Sequence, residues 1–463
     1  MVFSSLTFIF YFLPIVLGIY FIVPFKFKNL VLFIASMLFY IFGEPKYAIL
    51  MIISIASTYI HGILMEKYEK HAKKFMISSI AISIGLLMFF KYTDFFILNI
   101  NSIFNVDIGL LKLALPIGIS FYTFQMISYI IDVYRKESKA QKSFLKLATY
   151  VALFPQLVAG PIVRYTTIEK ELDDRTHSFE NFSNGVRRFV IGLSKKILIA
   201  NVLGDCINKF GLSDEKSVLF YWIYAIATTL QIYFDFSGYS DMAIGLGKML
   251  GFKFPENFNY PYIAKSVTDF WRRWHMTLSS CFRDYVYIPL GGNRVSKLKW
   301  FRNILVVWFL TGFWHGAAWN FILWGLLYGI LLIIEKVGLL KILEKIPSFI
   351  SRIYLLLVVM IGFVLFSGES MSQIMQNLGG LIGIGNIPLI STESIFYLKN
   401  YASIFIIGFI AATPVVKNIC IKLKEKAPKL INILEPVVLT VLLVVCVSFL
   451  VDGSFNPFLY FRF

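Results

Sequence analysis

Apolar runs long enough to cross a bilayer recur along almost the whole chain, and short lysine-rich loops separate them. Of the 463 residues 58% are hydrophobic and only 15% charged, against roughly a quarter charged in an ordinary soluble domain. The mean hydropathy is +0.72. The sequence therefore reads as an all-α polytopic membrane protein with no large soluble domain, because lipid accepts only structures that satisfy their own backbone polar groups. A net charge of +17 would suit a nucleic-acid partner. The basic residues instead lie in short loops between apolar runs, which is the positive-inside pattern of a membrane protein and speaks against nucleic acid.

Crossings are expected at about Leu6–Val23, Leu30–Phe42, a third through about Leu64, Phe75–Leu98 and Leu113–Val133. Later ones are expected at about Val218–Phe236, Ile353–Phe366, Ile404–Val416 and Pro436–Val451. The Leu6–Val23 run lacks a basic leader and a small-residue cleavage site, so it reads as a retained helix rather than a signal peptide. Lys26 and Lys28 place the loop that follows it in the cytoplasm, and residues 164 to 197 read as cytoplasmic too. Pro116 and Gly118 fall in the first turns expected for the fifth helix. Two runs look broken. Leu145–Val163 contains Pro155, Gly160 and Pro161, and such breakers are tolerated at membrane depth where protein surrounds the backbone. Asn303–Ile334, at 1.5 Å per residue, exceeds one crossing of about 30 Å, with Gly312, Gly316 and Asn320 near the expected break.

The chemistry gathers between Phe270 and Trp319, where FWRRWHMTLSSCFRDYVYIPLGGNR and FLTGFWHGAAW each place a histidine directly after a tryptophan. His275 and His315 are two of five histidines; His61 reads as a packing or interfacial residue, and His71 and His177 as solvated and inert. No further His, Cys or carboxylate cluster completes a zinc site, and no GxSxG elbow marks a serine hydrolase. Cys206, Cys281, Cys420 and Cys446 form no CxxC pair. General base catalysis by a neutral buried imidazole needs the least else, since burial disfavours the charged ring. Arg272, Arg273 and Arg283, with Trp271 and Trp274, suit a phosphate-bearing acyl donor at the cytoplasmic face; they also suit plain interfacial anchoring. Asp235, Ser237 and Asp241 close an apolar run either as a helix cap or as the lining of a polar cavity.

These blocks, together with MVFSSLTFIFYFLP, LPIGISFYTFQMISYIIDVYR, YVALFPQLVAGPIVRY and QIYFDFSGYSDMAIG, resemble the membrane-bound O-acyltransferases (MBOAT), in the bacterial branch of alginate and peptidoglycan O-acetylation. The resemblance implies a single membrane domain over residues 1–463, a ring of about 10–12 helices with broken segments around a central tunnel, and an extracytoplasmic tail at 452–463. It implies that His315 is catalytic and His275 a second functional position. It also implies an acetyl donor such as acetyl-CoA or an acylated carrier protein, an SGNH-type extracytoplasmic transferase as partner, and a cell-surface polysaccharide as final acceptor. The ending Phe458-Leu459-Tyr460-Phe461-Arg462-Phe463 is similar to the F-x-Y-x-x-F terminus of the accessory protein of teichoic-acid D-alanylation. That similarity makes Tyr460 an acyl-carrier candidate, and D-alanyl transfer the alternative activity. A proton-relay transporter is the alternative of a different class, and it predicts acidic residues deep within the helices.

Overall fold

The computed structural model describes residues 1–453 together with Phe458, and among them every regular element is helical. In chain order these are α1 (Phe8–Ile22), α2 (Phe25–Gly43), α3 (Ala48–Lys67), α4 (Ala72–Phe104), α5 (Ile119–Tyr134), α6 (Phe144–Ala152) and α7 (Phe154–Leu157). They continue with α8 (Tyr165–Asp173), α9 (Phe179–Ser194), α10 (Asn201–Leu212), α11 (Val218–Met249), α12 (Val267–Trp271), α13 (Met276–Phe282) and α14 (Lys297–His315). The rest are α15 (Trp319–Ile334), α16 (Leu340–Lys345), α17 (Ser348–Ser367), α18 (Met371–Leu381), α19 (Thr392–Ala411), α20 (Val415–Lys426) and α21 (Pro428–Asp452). Among the described residues α2, α3, α4, α17, α19 and α21 are long and apolar enough to cross a bilayer. The tail position Tyr460 lies outside the described residues.

Two compact units divide the chain. One comprises residues 1–189 and 240–255. Its centre is aromatic: the Phe12 ring meets Phe154 at 5.4 Å and Phe39 at 5.7 Å, and Phe8 packs on Phe39 at 6.0 Å. The broken run is here. Helix α6 stops at Ala152, α7 makes a single turn, and residues 158–164 have no helix. Gly118 explains how that segment is accommodated. Its φ of +75° suits a residue without Cβ, and a Cβ there would stand 2.7 Å from the carbonyl of Leu157. Gly118 and Pro116 therefore precede α5 rather than sitting in its first turns.

The other unit comprises residues 190–239 and 256–463. The long run breaks as expected, with α14 ending at His315 and α15 beginning at Trp319. Helix α19 starts well before the expected Ile404. A capping box between Ser391 and Ser394 satisfies its first turn and carries the helix through the polar stretch TESIFYLKN. It ends at Ala411, short of the expected Val416, which belongs to α20. The cap expected around Asp235, Ser237 and Asp241 is also corrected. Helix α11 runs on to Met249, so all three lie inside it. Asp235 is buried and pairs with Lys196 at 2.5 Å. In the first unit, Asp241 takes both Nε and Nη2 of Arg188, at 3.0 and 2.8 Å.

Candidate active site

His315 owes its place to glycine. Where α14 and α15 cross, a Cβ on Gly312 would stand 2.2 Å from the carbonyl of Phe321, and one on Gly325 2.2 Å from that of Trp308. Only backbones without side chains approach so closely. Gly316 then turns the chain in an extended conformation, and the Phe321 ring fills the space its side chain would take, 2.2 Å from an ideal Cβ. Asn320 ties the start of α15 to the end of α17, its Nδ2 donating to the carbonyls of Phe366 at 3.0 Å and Gly368 at 3.1 Å. His315 is buried as a result. Its ring stands edge-on to Trp324 at 5.1 Å and to Phe366 at 5.3 Å.

His275 is positioned from the opposite direction, by polar contacts. Ser266 caps α12 through Asp269 N. The buried carboxylate of Glu335 accepts from Val267 N at 2.6 Å, Thr268 N at 2.8 Å and Thr268 Oγ1 at 2.7 Å. A carboxylate suits these otherwise orphaned N–H groups. Past α12, His275 adopts φ +43°, a left-handed conformation uncommon for a side-chain-bearing residue. Asn257 holds it there. Asn257 Oδ1 lies 3.2 Å from His275 Nδ1 and also accepts from Thr277 N at 3.2 Å and Thr277 Oγ1 at 2.9 Å. Because that oxygen is an acceptor for the Thr277 N–H, His275 Nδ1 is the donor, and the ring's lone pair falls on Nε2. Burial pushes the imidazole pKa well below its ordinary value, so the ring is neutral at physiological pH.

Trp314 joins the two histidines. Its ring centroid is 5.0 Å from that of His315 and 6.1 Å from that of His275. The two motifs, 40 positions apart in sequence, thus meet across one indole. Phe236 closes the other side of His275 at 4.7 Å. Beside His315, Trp271, Trp324 and Tyr328 form a connected ring cluster, with Trp271 5.6 Å from Trp324 and 5.0 Å from Tyr328. The indole N–H groups of Trp271 and Trp324 and the hydroxyl of Tyr328 are buried with no hydrogen-bond acceptor among the described residues.

The arginines and Trp274 lie elsewhere on the same segment. Arg273 pairs with Asp269 at 2.9 Å, one helical turn before it. Arg283 is exposed and pairs with its neighbour Asp284 at 2.6 Å. Arg272 is exposed and forms no ion pair among the described residues. Trp274 is buried in an aromatic stack, 5.1 Å from Phe258 and 5.5 Å from Phe270. Sequence reasoning missed Asn257, Glu335 and Trp324. Glu335 had a signal, a carboxylate closing the apolar run ILLIIE; Asn257, in a polar loop, had none. Among the described residues no group of three or more His, Cys, Asp or Glu side chains could hold a metal ion.

The MBOAT, membrane-bound O-acyltransferase family model matches residues 135–372, which include both histidines. A protein of Azotobacter vinelandii named "Probable alginate O-acetylase AlgI" is 40% identical over 84% of this chain and 79% of its own length. The peptidoglycan O-acetyltransferase of Helicobacter pylori is 36% identical over 84% of this chain and 81% of its own. The teichoic acid D-alanyltransferase of Bacillus subtilis is 32% identical over 47% of this chain and 58% of its own. The chain belongs to the membrane-bound O-acyltransferase family and is an acyltransferase of the membrane.

Proposed function

We propose that the protein takes an acetyl group from a cytoplasmic thioester, acetyl-CoA, and delivers it across the membrane for O-acetylation of a cell-surface polysaccharide. The observation that carries this reading is that His315 and His275 both adjoin Trp314, and both are buried among aromatic rings. His315 acts as general base. It removes the proton of an acceptor hydroxyl, the oxygen attacks the thioester carbonyl carbon, the C–S bond breaks, and the departing thiolate takes the proton from the imidazolium. His275, neutral and held by Asn257, is the second functional position beside the same indole. The acceptor-free donors of Trp271, Trp324 and Tyr328 suit the carbonyl oxygens of an acylated pantetheine arm. Arg272, Arg273 and Arg283 supply positive charge for its phosphates, and Trp274 anchors the segment that bears them.

Tyr460 is the proposed first acceptor. A phenol with a pKa near about 10 forms an activated ester, able to receive acetyl from a thioester and to release it to an alkyl hydroxyl. Phe458 lies two positions earlier in the chain. It is buried, its ring 4.6 Å from that of Tyr239, with Lys196 Nζ 4.6 Å from its centroid. An SGNH-type transferase would then carry acetyl to the polysaccharide. The relatives named for O-acetylation align over 84% of this chain and the D-alanyltransferase over 47%, which favours acetyl over D-alanyl. The test is mass spectrometry of the C-terminal peptide after incubation with labelled acetyl-CoA. Label on Tyr460, absent from Tyr460→Phe, supports the relay; an unlabelled tail with continued acetyl transfer removes Tyr460 from it.

A further inference from the structure

The first unit contains a second concentration of polar side chains, which the acyl-transfer chemistry does not use. Arg175, in the loop after α8, is 4% exposed, and Lys28 on α2 is 9% exposed. The Arg175 guanidinium donates through Nε to Tyr20 Oη at 3.1 Å, and through Nη1 to Asn29 Oδ1 and to the Glu171 carbonyl, both at 2.8 Å. Its Nη2 is buried and has no acceptor. Aromatic faces surround the cations. Arg175 Cζ lies 4.6 Å from the Phe252 centroid and 5.3 Å from that of Phe25, and Lys28 Nζ lies 4.5 Å from that of Tyr20. Tyr20 Oη donates to the Leu250 carbonyl at 2.7 Å, so His177 Nε2, 2.9 Å away, must donate to it.

The electrostatics do not balance. Among the described residues no carboxylate stands within ion-pair distance of Lys28 or Arg175. Of the nearby acids, Glu171 uses Oε2 to accept from Lys253 N at 3.1 Å, Asp173 is engaged by Lys146, and Asp174 is exposed. Cation–π contacts are individually weak, and they offset only part of the cost of a buried unpaired charge. Burial first, and then the positive charges of Lys28 and Arg175, lower the His177 pKa, and an imidazole, neutral or cationic, carries no negative charge to offset them. What the cluster lacks is an anion with oxygens for several donors.

We propose that Lys28 and Arg175, with His177 at the rim, form a binding site for a phosphate group. Guanidinium and ammonium groups together match the tetrahedral oxygens of a phosphate ester. Lys26 and Lys28, expected in a loop, lie in the first turn of α2, and the positive-inside rule puts that helix end, and with it the site, at the cytoplasmic face. Two sources of phosphate are available there, the headgroup of an anionic phospholipid and a soluble phosphate ester such as coenzyme A.

The test uses full-length protein purified in an uncharged, phosphate-free detergent, with its unfolding temperature followed as a probe is added. The probes are phosphatidylglycerol, inorganic phosphate and coenzyme A. A ligand that binds only the folded state raises that temperature with concentration. The wild-type protein should gain several degrees with at least one probe, and Lys28→Gln and Arg175→Gln should lose most of that gain. Lys26→Gln, which removes an exposed charge from the same turn of α2, should keep it. A rise that Lys28→Gln loses assigns a lipid headgroup if phosphatidylglycerol alone gives it and a soluble ester if coenzyme A or inorganic phosphate gives it; a rise that Lys28→Gln keeps is binding elsewhere and overturns the proposal. No rise with any probe, or an equal loss in Lys26→Gln and Lys28→Gln, overturns the proposal. Lys28→Gln carries the test alone if Arg175→Gln does not fold.

Discussion

Asn257 Oδ1 accepts the Nδ1 proton of His275 at 3.2 Å, and this bond decides which nitrogen of the imidazole is basic. Replacing Asn257 with aspartate puts a negative charge beside Nδ1 and favours the imidazolium. Asn257→Asp should therefore raise the His275 pKa and move the acid limb of the pH–activity profile to higher pH. Asn257→Ala should instead leave Thr277 N and His275 Nδ1 without their acceptor, at about 1–3 kcal/mol of stability for each. Thermal unfolding and pH profiles of the two variants distinguish the effects.

Burial lowers the His275 pKa to about 3 from an ordinary 6.5. Between those values the unfolded chain binds a proton that the folded chain does not, so stability rises with pH across the window. The contribution is complete above pH 6.5 and is lost as pH falls toward the folded value. His275→Gln should flatten the dependence of the unfolding temperature on pH below neutrality. An unchanged slope would mean that His275 is not the group responsible.

Gly316→Ala drives a methyl group into the Phe321 ring, 2.2 Å from an ideal Cβ. Overpacking of this kind costs about 1–3 kcal/mol, and here it displaces His315, the residue before it. Activity should fall more than the loss of folded protein explains. Phe321→Leu in the same chain should restore part of both, as a double-mutant cycle would measure.

Glu335 accepts three hydrogen bonds from Val267 and Thr268 at the start of α12. Glu335→Ala should leave these buried donors unmet and loosen the turn that presents His275. The expected result is a fall in kcat with little change in KM, since the residue does not face the donor. Tyr328→Phe removes only a hydroxyl with no acceptor. If that hydroxyl meets the acyl donor, the variant should raise KM for acetyl-CoA without lowering stability.

Much of the helical layout was legible because lipid imposes a simple rule: long apolar runs, short basic loops, and breakers only where protein covers them. The break after His315 could be read from Gly312, Gly316 and Asn320; the position of both histidines beside Trp314 could not be read from their motifs. Side-chain partners across the fold could not be read. Asn257 is one polar residue in a loop of several, and only the three-dimensional arrangement puts its carbonyl oxygen against Nδ1. Asp235 and Asp241 were misplaced for a similar reason. Their partners Lys196 and Arg188 come from elsewhere in the chain, and these pairs let an apolar helix run on through acidic residues. The ends of α19 were missed because hydropathy does not register a capping box.

The central claim is that His315 catalyses acyl transfer from acetyl-CoA. Its most direct test is the rate of coenzyme A release from acetyl-CoA by the purified protein in lipid nanodiscs, for wild type and for His315→Ala, with folding checked by thermal unfolding. Loss of a general base costs typically about 100- to 10,000-fold. The account predicts a loss of at least that lower size in a folded His315→Ala protein, with acetyl-CoA still bound. Turnover in that variant equal to the wild type would contradict it.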